Sequence, residues 1–319
     1  MPRSATRPEI CIILNPHAAK GRAAKQRSVI EAAFAELSVP IDIHSTTHRL
    51  EAIPLAKEAV AKGYRTIVAA GGDGTMNEVV DGVVKASREL GLAEEDWPNV
   101  GLIPVGRGND FAFFANIPKD VVEACGVVAS GTVDRIDYGE LWGGRFEQES
   151  RCFINGVGIG FEPLVNYVAS EFKRVGGMLS YVLGFIKIMF DYPAPVKVAI
   201  TSEEESFTCD TQQISLCNGR RMGSTFIMGP KAELDDGMLD VVYANRPIAG
   251  HEILRYALKF FSGSQLETDR FSMFRSREVT IEADEDSLVC HTDGEAVSRG
   301  CRRIRVKLFP GGLKILRKM

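Results

Sequence analysis

Chemistry is suggested first by a few short polar turns. Gly71, Gly72 and Gly74 surround Asp73 and precede Thr75, directly after the apolar run Ile67-Val68-Ala69-Ala70. Glycines at the end of a buried strand let the backbone approach a ligand closely, and they leave N–H groups at the head of the next helix, an arrangement that suits phosphate. Thr75 can cap that helix. Asp73 would repel phosphate unless a cation intervened, and Mg²⁺ bridging oxygen ligands is the usual solution. The turn therefore points to a nucleotide and a metal, with a purely structural glycine turn as the alternative. The Walker spacing GxxxxGK[ST] does not occur here and the first strand lacks GxGxxG, so ordinary P-loop and dehydrogenase readings lose ground. Two further turns have the same polar character. In Asn15-Pro16-His17-Ala18-Ala19-Lys20-Gly21, Lys20 can neutralise phosphate charge during phosphoryl transfer or simply sit on the surface. In Pro104-Val105-Gly106-Arg107-Gly108-Asn109-Asp110, the bland alternative is a helix cap by Asn109 or Asp110.

These turns need elements to hold them. Glu9 to Leu14 is apolar, Ala23 to Leu37 has helical periodicity, Ile41 to Ser45 alternates, and Leu50 to Ala61 is helical again. The cycle repeats with Tyr64 to Ala70 as strand, Thr75 to Ser87 as helix and Val100 to Val105 as strand. Near-continuous apolar strands alternating with helices predict a doubly wound parallel sheet covered on both faces, with ligands at the carboxyl ends of its strands. After about residue 130 the pattern becomes mainly β. Strands are expected over Ile136 to Leu141, Phe146 to Ile154, Val196 to Ile200, Gln212 to Leu216, Leu239 to Tyr243, Glu278 to Ile281 and Leu288 to Cys290. Helical insertions are expected near Phe161 to Phe190 and Ile248 to Ser262. The reading is a nucleotide domain over 1–133, a β-sandwich domain over 134–302, and a last segment, 303–319, that ends in the second domain or returns to the first.

Composition narrows the function classes. The chain has 319 residues, 45% hydrophobic and 25% charged, which fits a two-domain soluble globular protein. Its longest greasy stretch, Met178 to Phe190, is broken by Lys187 and is too short to span a bilayer, so no transmembrane segment is expected. The N-terminus lacks the apolar core of a secretory signal. The seven cysteines contain no CxxC pair, and Cys209 and Cys217 have no histidine nearby in sequence. The missing signal and the cysteine usage favour a reducing cytoplasm, and the lack of a histidine near Cys209 and Cys217 argues against zinc. The formal net charge of −4 gives no reason to expect a nucleic-acid partner. Basic groups at Lys20 to Arg27 and Arg299 to Lys307 suit solvated faces, an anionic ligand or a membrane surface.

The series NPHAAKG, GGDGTMNEVV, PVGRGNDFA, GPKAELDDGMLDV and HTDGEAV resembles the ordered motifs of the diacylglycerol kinase catalytic family, which includes bacterial soluble lipid kinases and sphingosine kinases. The resemblance spans about Asn15 to Glu295. GGDGT alone also occurs in the wider NAD kinase and 6-phosphofructokinase superfamily, but the whole series is more specific. The resemblance implies transfer of the γ-phosphoryl group of ATP to a lipid hydroxyl, such as that of diacylglycerol, with ATP on the N-terminal domain, lipid on the C-terminal one and chemistry in the cleft. It places Asn15, Pro16, His17, Ala18, Ala19 and Lys20, with Thr46, at the nucleotide, joined by Gly71, Gly72, Asp73, Gly74, Thr75, Asn77 and Glu78, and by Arg107, Asn109 and Asp110. Asp73 would serve Mg²⁺ and phosphate. An acid of Asp293-Gly294-Glu295 would take the proton from the attacking hydroxyl, and either Asp293 or Glu295 suits that role. Glu233, Asp236 and Met238 would hold a structural Mg²⁺ largely through backbone carbonyls, although an Asp-Asp-Gly turn is common without metal. Lys173 would reach phosphate, with Arg174 competing for that role.

Two positions depart from the family pattern. Arg107 stands where a threonine is usual and Ala19 where glycine is usual, and arginine cannot reproduce a hydroxyl contact. A lipid acceptor implies transient membrane docking through basic residues and Met178 to Phe190, for which a core helix is the alternative. The sequence leaves a homodimer open. A kinase of a soluble NAD- or sugar-like substrate and a catalytically silent nucleotide- or lipid-binding protein are the competing functions.

Overall fold

The computed structural model describes residues 9–171, 187, 193–223 and 226–318. The chain forms two compact units, one built from the residues up to Ile136 together with Gly312 onward, the other from Asp137–Gly311.

The first unit is a parallel sheet. Strand β1 (Ile10–Leu14) lies between β2 (Ile41–Ser45) and β3 (Thr66–Gly71); β3 pairs with β4 (Asn99–Pro104), and β4 pairs with the end of the last strand through Ile315 and Val100. Every residue of β1 and β3 is buried. That double-faced burial is why these strands read as unbroken apolar runs rather than alternating ones. Helices α1 (Gln26–Glu36), α2 (Ala52–Ala61) and α3 (Asp73–Glu89) are the crossovers. On one face, Ile12, Leu14, Val68 and Ile103 pack with Ile30 and Phe34 of α1 and with Val128 of α5 (Val121–Ser130). Helix α5 ends cleanly at Gly131, which takes the left-handed conformation. Helices α2 and α3 pack closely on each other. Gly82 makes that approach feasible, because a Cβ there would lie 2.5 Å from the Ile53 carbonyl oxygen. Between β4 and α5 a short helix, α4 (Asp110–Phe114), follows the polar turn.

The second unit is an antiparallel sandwich. Six strands run in the order β14 (Phe271–Ser276), β13 (Leu239–Ala244), β10 (Gln213–Cys217), β7 (Gly156–Gly160), β16 (Cys290–Thr292) and β17 (Glu295–Ser298). Facing them are β9 (Ser206–Thr211), β8 (Val196–Ser202), β15 (Glu278–Ala283) and the first part of β18 (Arg303–Leu316). Val157, Ile159, Leu216 and Val241 of one layer meet Val198, Ile200, Ile281 and Ile304 of the other in a shared core. Strands β5 (Val133–Gly143) and β6 (Arg151–Phe153) pair with each other. The hairpin β11 (Arg221–Met222) and β12 (Phe226–Ile227), helix α6 (Phe161–Glu171) and helix α7 (Ile253–Ser262) complete the described elements.

The expected class, a parallel α/β nucleotide-type domain and a β-sandwich, is the one observed. Several boundaries move. The strand expected over Phe146 to Ile154 is reduced to Arg151–Phe153, because Glu147, Gln148 and Glu149 are exposed and carry no alternation. The strand expected at Leu288 to Cys290 starts at Cys290 instead. Helix α7 begins at Ile253, after a short 3₁₀ turn. Among the described residues no helix is long and apolar enough to cross a membrane.

Candidate active site

In the first unit, the ends of β1 and β3 place their turns side by side. The Asn15 side-chain amide donates to the Thr75 hydroxyl at 3.1 Å, and its oxygen accepts the His17 N–H at 3.0 Å. Gly71 is required here, since a Cβ would fall 2.3 Å from Thr75 Oγ1. Thr75 therefore does not cap α3 as expected. The N-cap position belongs to Gly72, which has no side chain to offer, and the threonine hydroxyl is turned to Asn15 instead. Asp73 opens the helix, and its Oδ1 accepts the Phe111 N–H at 3.0 Å, tying the glycine turn to the start of α4. Its other oxygen has no protein partner among the described residues.

The third turn joins these two by close backbone approach. A Cβ on Gly106 would lie 2.4 Å from Gly72 Cα and 2.6 Å from Asn109 Oδ1. Both Val105 and Gly106 donate their N–H groups to the Gly71 carbonyl. Neither Asn109 nor Asp110 caps α4 with its side chain; Asn109 adopts the left-handed conformation (φ 53°), and its Oδ1 is buried without a hydrogen-bond partner. Asn109 thus leaves a buried amide oxygen unused and Asp73 a carboxylate oxygen, and oxygens of both kinds suit a bound cation or a ligand hydroxyl. The residues present thus fit Mg²⁺ carried with a nucleotide.

A polar cavity of about 260 Å³ opens next to these turns. It collects five of the expected residues, Asn15, His17, Thr46, Thr75 and Glu78. Glu78 reaches back to accept the N–H groups of Leu50 and Ala52, at 3.3 and 3.2 Å, so it shapes the wall by holding the loop before α2. That loop brings His48 and Arg49 to the cavity, neither of which the motifs suggested. Their signal was weak, because a basic His-Arg pair in a loop has no fixed spacing from the glycine turn. Asn77 is buried within α3, Asp110 is buried at the start of α4, and Lys20 and Arg107 are exposed. Lys173 and Arg174 lie outside the described residues.

In the second unit the acidic turn is stitched into the sheet. Asp293 Oδ1 accepts the N–H groups of Asn155 and Gly156 at 3.0 and 2.9 Å, and Oδ2 accepts that of Ile154 at 2.9 Å. Asp293 itself takes φ 44°, a strained conformation for a residue with a Cβ. Glu295 is almost buried and binds two guanidiniums, those of Arg145 and of Arg151, the latter at 2.8 Å and only 2% exposed. One turn earlier, His291 is buried against Glu162 of α6. The Gly294 N–H donates to His291 Nδ1 at 3.2 Å, so the neutral ring carries its proton on Nε2, facing Glu162. Burial pushes the imidazole pKa down, but the Glu162 carboxylate, by charge and hydrogen bond, and Asp293, by charge, raise it, and the net shift is upward. Helix α6 is anchored to the same hairpin by the Tyr167 hydroxyl, which donates to the Cys290 and Ser298 carbonyls; burial pushes this phenol up to about 12.

The expected carbonyl-rich metal turn is held by protein groups. Asp236 pairs with Arg275, and its Oδ1 accepts the Met238 N–H at 3.0 Å. Gly237 donates to Asp137, while Glu233 is exposed. A cation here would be held by backbone oxygens rather than by the Asp236 side chain. Among the described residues no group of three His, Cys, Asp or Glu converges at metal-ligating spacing.

Comparison with known proteins agrees with this layout. A family model described as "Diacylglycerol kinase catalytic domain" matches residues 9–141, and one described as "YegS C-terminal NAD kinase beta sandwich-like domain" matches residues 155–317. The chain belongs to the diacylglycerol kinase catalytic family. It is 28% identical to the "Diacylglycerol kinase" of Bacillus subtilis (strain 168), covering 89% of this chain and 88% of that one. It is 27% identical to a "Probable lipid kinase YegS-like" of Xanthomonas oryzae pv. oryzae (strain MAFF 311018), covering 87% and 86%. Its fold is shared with a crystal structure of a diacylglycerol kinase from Bacillus anthracis str. Sterne (TM-score 0.69, 20% identity, 97% and 96% covered) and with an NAD kinase from Archaeoglobus fulgidus (TM-score 0.50, 12% identity, 97% and 93% covered).

Within this lipid kinase family, the two departures now have surroundings. Arg107 is exposed on the turn that approaches Gly72 and makes no ion pair among the described residues, so it is available to a ligand. Ala19 adopts φ 51°, followed by Lys20 at 61° and Gly21 at 84°. The family glycine thus corresponds to a left-handed backbone position that an alanine occupies only with strain. Ala19→Gly is expected to stabilise the protein by about 1 kcal/mol, read from urea unfolding; unchanged or lower stability would show that position 19 carries no such strain. Arg151→Met removes one partner of a buried pair and is expected to cost about 3–5 kcal/mol in the same measurement, whereas a loss below about 1 kcal/mol would mean that Arg145 alone satisfies Glu295.

Proposed function

We propose that the chain is an ATP- and Mg²⁺-dependent lipid kinase that transfers the γ-phosphoryl group of ATP to a hydroxyl of a lipid such as diacylglycerol. Kinase chemistry follows from the family, and the lipid acceptor is supported best by one observation in the second unit. Phe161, Val165, Met228, Ile253, Tyr256 and Phe260, with their neighbours, line an apolar cavity of about 70 Å³. Such a lining suits hydrocarbon and gives a sugar or dinucleotide few polar partners.

In this reading, the polar cavity of the first unit binds ATP, with Asn15 and Thr75 positioned by their mutual hydrogen bond and the N–H groups at the head of α3 directed to phosphate. When bound, Mg²⁺ would supply charge neutralisation on the phosphates, and Asp73 would hold it. Lys20 and Arg107 add positive charge as it develops on the transferring oxygens. A carboxylate of the Asp293-Gly294-Glu295 turn accepts the proton of the attacking hydroxyl as its oxygen bonds to the γ-phosphorus and the bond to the β-phosphate oxygen breaks. Purified protein given γ-labelled ATP, Mg²⁺ and a mixed-lipid extract in micelles is expected to place label in the organic phase, with the rate reduced about 10²-fold or more in Asp73→Asn and in Asp293→Asn or Glu295→Gln. Label confined to the aqueous phase would favour a soluble acceptor, and ATP binding without transfer would favour a silent binding protein.

Access to a lipid requires contact with a membrane surface. The expected segment, Met178 to Phe190, lies outside the described residues apart from Lys187, but α7 carries a second candidate. Leu254, Leu258 and Phe261 are 55%, 59% and 43% exposed along one stripe. Arg255 and Lys259 flank that stripe, and the helix contains no acid, an arrangement matched to anionic lipid. Replacing the three apolar residues with serine is expected to reduce flotation with anionic liposomes by about tenfold or more; undiminished flotation would remove α7 from the docking surface.

A further inference from the structure

One oxygen at the wall of the apolar cavity is poorly matched to a hydrocarbon ligand alone. Glu162 is the carboxylate among the described cavity-lining residues, and its side chain is only 11% exposed. Its Oε2 is bound to the buried His291. Its Oε1 lies toward Gly223 on the cavity side, 3.8 Å from where a Cβ on that glycine would sit, and has no protein partner among the described residues. Space for the pair is built into the sheet: a Cβ on Gly158 would fall 2.3 Å from Glu162 Oε2 and 2.8 Å from His291 Nε2. Beside it, the Glu162 N–H donates to Gln213 Oε1 at 2.9 Å, and Gln213 Nε2 in turn donates to the Ser215 hydroxyl at 2.8 Å, which fixes the start of α6. A buried carboxylate is costly unless every oxygen is used. His291 satisfies one oxygen and leaves the other presented to whatever fills the cavity.

We propose that the Glu162–His291 pair is the head-group recognition site of this cavity and selects a neutral or cationic hydroxylated amphiphile over an anionic one. The inference rests on the lipid kinase reading and narrows its acceptor. A second hydroxyl or an ammonium of the acceptor, distinct from the hydroxyl that is phosphorylated, donates to Glu162 Oε1 while its chain covers the apolar wall. A head group that already bears phosphate brings a second negative charge to a desolvated carboxylate, and the low local polarity makes that repulsion strong. The same repulsion acts on the product, which leaves as a phosphomonoester. Glu162 is a specificity-determining group here, and His291 a positioning residue that holds the carboxylate on the cavity side.

The test compares two single-chain acceptors of equal chain length in uncharged detergent micelles, monoacylglycerol and lysophosphatidylglycerol, with KM and kcat measured separately for lipid and for ATP. Wild type is expected to prefer monoacylglycerol in kcat/KM by about tenfold or more. Glu162→Gln is expected to raise the KM for monoacylglycerol by about tenfold, to leave the KM for ATP unchanged and to narrow the gap to lysophosphatidylglycerol. A similar narrowing is expected in His291→Gln. Equal or better use of lysophosphatidylglycerol by the wild-type enzyme overturns the proposal without any variant, as does a Glu162→Gln enzyme that folds and keeps the wild-type ratio. Failure of the kinase reading itself is distinguished by binding without turnover. A fluorescent monoacylglycerol is expected to bind the wild-type protein more tightly than its phosphomonoester, and equal binding of the two contradicts the site even if no lipid is phosphorylated.

Discussion

The nucleotide half of this protein depends on two backbones meeting where no side chain fits. Gly106 lies so close to Gly72 that a single methyl group would overlap the opposing Cα. This contact, with the shared Gly71 carbonyl that accepts from Val105 and Gly106, turns three separate strand ends into one wall. The rest follows from it. Asp73 can reach the Phe111 amide, Asn15 can reach Thr75, and the cavity beside these turns is lined by polar groups already held in place. A site for an anion and its cation is best made of such pre-arranged, partly unsatisfied groups, because little reorganisation remains when the ligand arrives.

The second unit solves a different problem, that of keeping acids buried. Asp293 is held by three amide N–H groups, Glu295 by two guanidiniums and Glu162 by an imidazole. All three acids touch or border the hairpin of β16 and β17, so the antiparallel pairing that forms the sandwich also sets the positions of its charged groups. Burial of apolar surface between the two layers stabilises the unit, while these bonds confine the turn to one geometry. The strain at Asp293, a non-glycine residue with positive φ, is compatible with that confinement.

Much of the first unit was legible because its inner strands are buried on both faces. Ile67 to Ala70 can only be a strand with neighbours on each side, and a glycine turn at its carboxyl end locates the ligand edge. The sandwich was read less completely. Phe271–Ser276 and Ser206–Thr211 escaped notice because, as outer strands of their sheets, they mix serine, threonine and charged residues with apolar ones. Local rules also misassigned Thr75, since Gly72 takes the cap position and a partner 60 residues away claims the hydroxyl. Glu162 is separated from His291 by 129 residues, and Arg145 from Glu295 by 150, and no periodicity relates such distant positions. The motif made the turn visible, but the groups that control its charge emerged only from the fold.

The central claim is that ATP turnover is coupled to phosphorylation of a lipid hydroxyl. Phosphorus NMR of the purified protein with ATP, Mg²⁺ and micellar diacylglycerol reads both products in one sample. The account predicts that ADP and a lipid phosphomonoester accumulate in equal amounts and that neither forms when the lipid is omitted. Release of inorganic phosphate at the same rate with or without lipid, with no new phosphomonoester, would contradict it.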